Sequence, residues 1–525
     1  VTRRTSDKPA VVVTDSGADL DAAGEGRMNR RTFLGAAGTA TAALTLAACG
    51  AGRSSTDAAF DRPRALTAPP ARYHSRPDLR PPRVLVATRP SHPELDAFVF
   101  TDAHGGRGQQ GPMIIDRAGD LVWFAPVSQT GSAGSRAMNV RVQTYRHQPV
   151  LTWWRGGLVA SHGAGHYEIY DESYRRVAQV HAGYGYMGDL HEFRLTSRGT
   201  ALLTAYAQAT GEIPTPDGRS TRRAAYWYCV AQEVDVATGE VLLHWRSDHH
   251  VPFSASRRLP PPKDPSEPWD YFHMNSIAVD PSDDNLIISA RNTWSCYKVD
   301  RSTGELLWTL GGEESDFKIG DAAGFVFQHD VIPRDNGTFT VFDNEAGPPA
   351  HAAQSRGLVI AVDEAAREVS FVRQFHHDPA VLTEALGNVQ ELEDGRTFIG
   401  WGQSSWFTEY DPAGDVVLDA QLSGGVLSYR AFQNLWRGLP ADPPAVSAER
   451  HGAGTRVYAS WNGSTVHRQW RVLGGARRGE LTPMRLVPRR GFETTIELGG
   501  APAWVVAEAI DEHGLVAGRS APLRI

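Results

Sequence analysis

The chain has 525 residues, a net charge of −7 and 41% apolar residues, enough for a large core and a second small domain. Only four lysines occur (Lys8, Lys263, Lys298 and Lys318), and no basic run lies beyond the N-terminal stretch, which argues against nucleic acid as a partner. The three cysteines show no zinc-type spacing.

In chain order, residues 1–27 are polar and rich in Ala, Asp and Gly, and read as a disordered lead or a start codon called too early. Residues 28–49 read MNRRTFLGAAGTATAALTLAAC. Arg30-Arg31 before Thr32-Phe33-Leu34 resembles a twin-arginine export signal, and Leu46-Ala47-Ala48-Cys49 a lipoprotein cleavage box. Phe33 to Cys49 is 17 residues and weakly apolar, too short for a good membrane span. The expectation is lipidation at Cys49, export by the twin-arginine route and an extracytoplasmic protein that touches the membrane only through its lipid. Residues 50–83, with six prolines between Pro63 and Pro82, read as a tether.

From residue 84 to 442 one pattern recurs: a hydrophobic strand ends in Asp, crosses a small turn and resumes. The Asp residues are Asp116, Asp171, Asp235, Asp300, Asp363 and Asp411, spaced 55, 64, 65, 63 and 48 apart. Such hairpins at blade-sized intervals predict an all-β fold, a six-bladed β-propeller with its functional place in the central channel. Cys229 and Cys296 each lie just before a repeat Asp, on strands of neighbouring blades, either as a disulfide or as two buried thiols. Residues 443–525 change to short alternating strands between Gly and Asn turns, which predict a small C-terminal β-sandwich of immunoglobulin or fibronectin type.

Four segments combine a polar residue, a short apolar strand, an Asp/Gly/Asn turn and a more apolar strand. They begin at His191, His273, Gln328-His329 and Gly387-Asn388. If these are innermost strands of consecutive blades, His191, His273, His329 and Asn388 ring one mouth of the channel. Arg291 ends the strand LIISA, and the hairpin returns it to the rim beside His273. A guanidinium among imidazoles suits a tetrahedral oxyanion such as sulfate or phosphate, because Arg offers a planar fork of donors and His can donate, accept or attack. Asp330 follows His329, and strand alternation points it away from that imidazole.

DYFHMNSIAVDPSDDNLIISARN (Asp270 to Asn292), GELLWTLGG, FQHDVIPRDNGTFTVFDNEAG (Phe327 to Gly347) and GNVQELEDG resemble the arylsulfotransferases, bacterial enzymes whose donor is an aryl sulfate ester. SYRAFQNLWRGLP and SWNGST resemble their actinobacterial and fungal branch, and the resemblance spans roughly residues 85 to 525. It implies a six-bladed propeller, small aryl sulfate and phenolic substrates, and neither cofactor nor metal. His329 would be transiently sulfated, His273 and Arg291 would hold the sulfuryl oxygens, and His191 would be the remaining channel histidine. Asn275, from the His-x-Asn-Ser element, and Asn388 would bind substrate. Two features depart from the family: no cysteine pair lies near His329, and the added β-domain is C-terminal. A hydrolase of sulfate esters and a non-catalytic extracytoplasmic binding lipoprotein are the alternative readings.

Overall fold

The computed structural model describes residues 67–90, 97–128, 135–260, 267–347 and 350–525, and nearly every regular element there is a strand. The expected export signal and lipidation site at residues 28–49, and residues 1–27, lie outside the described residues.

Pairing groups the strands into antiparallel sets of four. Written from the innermost strand outwards, sheet one is Ala431–Leu435, Ala97–Ala103, Gly111–Ile115 and Leu121–Phe124, and sheet two is Arg136–Tyr145, Gln148–Val159, His162–Tyr170 and Arg176–Val180. Sheet three is Gly188–Leu195, Thr200–Pro214, Thr221–Asp235 and Val241–Arg246, joined to sheet two through the single Gly165–Gly188 bridge. Sheet four is Met274–Val279, Leu286–Ala290, Ser295–Val299 and Leu306–Gly311. Sheet five is His329–Pro333, Thr338–Asp343, Arg356–Asp363 and Glu368–Phe375. Sheet six is Asn388–Glu391, Thr397–Gly400, Trp406–Tyr410 and Val416–Leu422, with Val84–Thr88 added at its outer edge. The innermost strands neighbour one another in this order, and Asn388–Glu391 returns to Ala431–Leu435. The ring closes by pairing a late inner strand with early outer strands, Ala97–Ala103 against Ala431–Leu435. This is a propeller-like, all-β architecture.

The repeated Asp has a local job. In each outer hairpin its Oδ1 accepts backbone N–H groups a few residues on: Ala118 and Asp120 for Asp116, Ser173 and Arg175 for Asp171, Ala237 and Thr238 for Asp235. Asp300 takes Ser302 and Thr303, Asp363 takes Ala366, and Asp411 takes Ala413 and Asp415. These are Asx turns. Each also needs one left-handed residue, filled by Gly119, Gly239, Gly304 and Gly414, and at greater conformational cost by Tyr174 and Arg367.

Apolar residues facing between sheets form the core. Cys229 lies in the cluster between sheets three and four, with Val230, Ile277 and Ile288. Cys296 lies in the cluster between sheets four and five, with Ile287, Val331 and Phe339. The two cysteines therefore occupy different interfaces and are free buried thiols.

The tether reading fails for residues 67–83. Leu79 is fully buried against Met113, Phe407 and Phe492, and Ser75 bonds Ser460 and Glu493. Apolar residues among the prolines anchor this stretch to the body. Beyond Ala445, one three-stranded and one five-stranded sheet enclose a shared core of Val457, Ile496, Trp470, Val472 and Val505. Asn462 ties this region to sheet one by exchanging two hydrogen bonds with the Phe124 backbone (2.9 and 3.0 Å). Among the described residues, no helix is long and apolar enough to cross a membrane.

Candidate active site at one end of the channel

His191, His273, His329 and Asn388 lie at or near the starts of four consecutive innermost strands, and Arg291 directly follows the second strand of sheet four. All five are at most 2% exposed. The Arg291 backbone N–H donates to His273 O (2.9 Å), which fixes the rim position the hairpin geometry predicts. The His191 and His273 rings meet edge to face at 4.8 Å. His273, Trp294, Phe327 and Asp330 all have left-handed backbone (φ 51–58°), so unusual conformations cluster here.

Each imidazole is oriented by an acceptor at Nδ1. His191 donates to Asp189 Oδ2 (2.6 Å) and His273 to Asp270 Oδ2 (2.5 Å). His329 Nδ1 is 2.7 Å from Asn344 Oδ1, while Asn344 Nδ2 donates to Thr383 O and Leu386 O (2.9 and 3.1 Å). Those two carbonyls fix the amide orientation, so Asn344 presents an acceptor and His329 carries its proton on Nδ1. The lone pair of His329 then lies on Nε2, which has no hydrogen-bond partner. Burial and the nearby Arg291 guanidinium hold His329 and His273 well below the ordinary histidine range, so both imidazoles are neutral. Arg291 is itself fully buried. Its Nε donates to Asn292 Oδ1 (3.0 Å), its guanidinium lies 4.6 Å over the Phe327 ring, and Nη1 and Nη2 make no hydrogen bond.

Deeper along the same strands a second layer forms a floor. Arg141 pairs with Glu192, and Arg430 reaches Glu192 Oε2 (3.3 Å), Asp330 Oδ1 (3.4 Å) and Asn275 O (3.0 Å). Burial, the largest single influence, would raise Glu192, but the charges of Arg141, Arg430 and Arg194 together outweigh it and bring the carboxyl down to about 2. Beyond this layer, a vestibule of about 860 Å³ opens at the other end of the strands, lined by Arg141, Arg194, Asp330, Arg334 and Phe432 among others. The floor separates it from the histidines.

The neutral histidines make stability depend on pH. An unfolded chain protonates imidazole near pH 6.5, whereas folded His273 and His329 resist until well below that. As pH falls below 6.5 the unfolded state binds more protons, so stability drops by up to about 1.4 kcal/mol per pH unit for each histidine. Above pH 7 neither state is protonated and the term is fully present. Urea unfolding at pH 7, 6 and 5 should show this decline, and His329→Asn should make it shallower by one histidine's share. Equal slopes would contradict the neutral assignment.

The structure places the predicted residues differently in detail. His191, His273, His329 and Arg291 come together. Asn388 does not offer its amide: Oδ1 accepts Ala431 N–H (2.9 Å) and Nδ2 donates to Ala431 O (2.8 Å), pinning sheet six to the closing strand. Asn275 Nδ2 donates to Gln328 O (2.6 Å), and its Oδ1 has no hydrogen-bond partner. Through that bond it positions the residue before His329. Asp330 lies away from the His329 imidazole, as alternation expects, and is buried in the floor beside Arg430, next to a bulge between His329 and Ile332. It orients no imidazole. Sequence reasoning missed Asp189, Asp270, Asn344 and His162. The first had a signal, since Asp-x-His occurs at Asp102-His104 and again at Asp189-His191, and both pairs bond at 2.6 Å. His162 starts the third strand of sheet two and stacks on Tyr206 (4.0 Å), and its Nε2 is 3.5 Å from Asp270 Oδ2.

The fold and site define a propeller-like protein with a buried pocket of imidazoles and one guanidinium. Residues 141–423 match the family model for arylsulfotransferase (ASST), and the chain belongs to that family. No curated protein matches. Solved structures with similar folds include a Bacteroides caccae protein of unknown function, 14% identical, covering 64% of this chain and 98% of that one, with a TM-score of 0.39. The Pseudomonas aeruginosa periplasmic gluconolactonase PpgL is 13% identical, with coverage of 77% and 99% and a TM-score of 0.34. The Myceliophteria thermophila Cps50 (Swd1) β-propeller domain is 11% identical, with coverage of 56% and 98% and a TM-score of 0.31.

Proposed function

We propose that this chain transfers a sulfuryl group from an aryl sulfate ester to a phenol through a sulfohistidine at His329. One observation carries the reading: His329 Nε2, a buried lone pair without a partner, shares a pocket with the two unpaired Nη groups of Arg291. Sulfuryl transfer is a loose in-line displacement, so positioning and electrostatic stabilisation do most of the work. His329 Nε2 attacks sulfur, the S–N bond forms and the S–O(aryl) bond breaks. Arg291 donates to the equatorial oxygens as charge spreads over them. Asn344 Oδ1 stabilises the positive charge that His329 gains. His191 acts in its doubly protonated form: with Nδ1–H held by Asp189, it delivers its second proton from Nε2 to the departing aryl oxygen, is left neutral, and takes a proton back on Nε2 from the incoming phenol as that removes the sulfuryl group. Family membership supports sulfotransferase chemistry in general and small aryl substrates. The Arg30-Arg31 and Cys49 signals support an exported, lipid-anchored protein.

The test is an assay of the purified chain with 4-nitrophenyl sulfate, with and without phenol. Parallel double-reciprocal plots and phenyl sulfate formation are expected. Nitrophenol release that ignores phenol and yields only inorganic sulfate would replace the transferase reading with a hydrolase.

A further inference from the structure

His162 starts a strand of sheet two, while Asp270 and His273 lie in the segment leading into sheet four, yet the three converge, with one potential ligand atom from each all lying within 4.8 Å of one another. The chemistry proposed above gives His162 no role. A buried imidazole with neither nitrogen hydrogen-bonded is costly, and His162 is 2% exposed with both Nδ1 and Nε2 unpaired. Asp270 Oδ1 and His273 Nε2 are likewise buried and unpaired. The geometry points to a binding site for one divalent cation of the zinc class, held by His162, Asp270 and His273.

Spacing supports this choice over a plain hydrogen-bond network. His162 Nε2 to Asp270 Oδ2 is 3.5 Å, long for a hydrogen bond. It is close to the edge of about 3.3 Å that two donors share around a tetrahedral cation with bonds of about 2.0–2.2 Å. The His273 Nδ1 to Asp270 Oδ2 contact of 2.5 Å must open by somewhat less than 1 Å, so the cation takes the place of the proton between them. The imidazole stays neutral by moving that proton to Nε2, and no proton need leave the site. Two imidazoles and one carboxylate suit zinc, cobalt and iron(II), and they leave a position open for a further ligand. Arg291 Nη2, 3.8 Å from Asp270 Oδ2, opposes the cation, while the Asp270 charge offsets one of its two positive charges. The remaining excess favours an anion bound next to both.

The inference stands apart from sulfuryl transfer, and an inactive chain in the aryl sulfate assay leaves it intact. The metal-free, untagged full chain is titrated with cobalt(II). One equivalent should survive desalting and give the visible absorption of low-coordinate cobalt. His162→Gln should weaken binding at least ~10-fold and Asp270→Asn should abolish it, while His513→Ala, at an exposed ring far along the chain, leaves it unchanged. Circular dichroism checks that each variant is folded. A second measurement needs no variant: cobalt-edge anomalous scattering from soaked wild-type crystals should place one peak within about 2.0–2.2 Å of a His162 nitrogen and an Asp270 oxygen. A wild-type chain that retains no cobalt, a folded His162→Gln that binds as tightly as wild type, or a peak elsewhere would overturn the assignment.

Discussion

His329→Asn should abolish nitrophenol release from 4-nitrophenyl sulfate, by about 10³-fold or more, and should leave no trapped label when the chain is quenched with sulfur-35 donor. The size follows from what is lost. Without a nucleophile the two-step route closes, and what remains is whatever rate Arg291 and His191 give to direct attack by phenol or water. Asn is the informative replacement, since its amide can still meet Asn344, so the fold around the pocket is preserved. Wild-type protein should show a burst of nitrophenol, one per chain, before the acceptor-dependent steady state. A variant that keeps the burst would remove His329 from the mechanism. A variant that loses label trapping yet keeps acceptor-dependent turnover would point to direct transfer in a single displacement.

The same two-step logic explains what could be read from the sequence and what could not. The hairpins were legible because an Asx turn is local: Asp300 and the Ser302 and Thr303 amides it binds lie within four residues of one another. The histidines were legible as a set because inner strands start at equivalent points, so a residue type repeated at that point must share the channel mouth. A repeated position does not say how a side chain spends its hydrogen bonds. Asn388 shares the register of His329, yet its amide is consumed by Ala431. Asp330 orients no imidazole, as alternation expects, but its place beside Arg430 was not legible, since a bulge invisible in the pattern follows His329. The supports at Asn344 and Asp270 come from the ends of other elements, 15 residues after His329 and 3 before His273, with no common offset. His162 was hidden for a further reason. It starts an outer strand, and it reaches Asp270 only because the long Thr200–Pro214 and Thr221–Asp235 hairpin pairs Trp227 with Asp270 and packs Tyr206 on the imidazole. The stretch from residue 67 to 83 misled by composition alone: its prolines read as spacer, while Leu79 is core.

Arg291→Met should separate function from stability. Two guanidinium nitrogens without hydrogen bonds, one of them only in a long 3.8 Å ion pair with Asp270, in a side chain with no exposure, are a standing cost to the folded state. Methionine fills similar space without that cost and keeps contact with Phe327. Asp270 retains His273 and His162, which together outweigh burial and hold its carboxyl well below the usual range. The urea midpoint of the variant should therefore equal or exceed that of wild type. Activity should move the other way. Donors aimed at developing oxyanion charge contribute about 2.7–4 kcal/mol each in a dry site, so kcat should fall by about 10²–10³-fold, and inorganic sulfate should inhibit less. Arg291→Lys should recover little of this, because an ammonium cannot reproduce a planar pair of donors. A stable Arg291→Met that turns over at the wild-type rate would show that the guanidinium is not the sulfuryl clamp. A variant that loses activity only in proportion to unfolding would show that it is a structural residue.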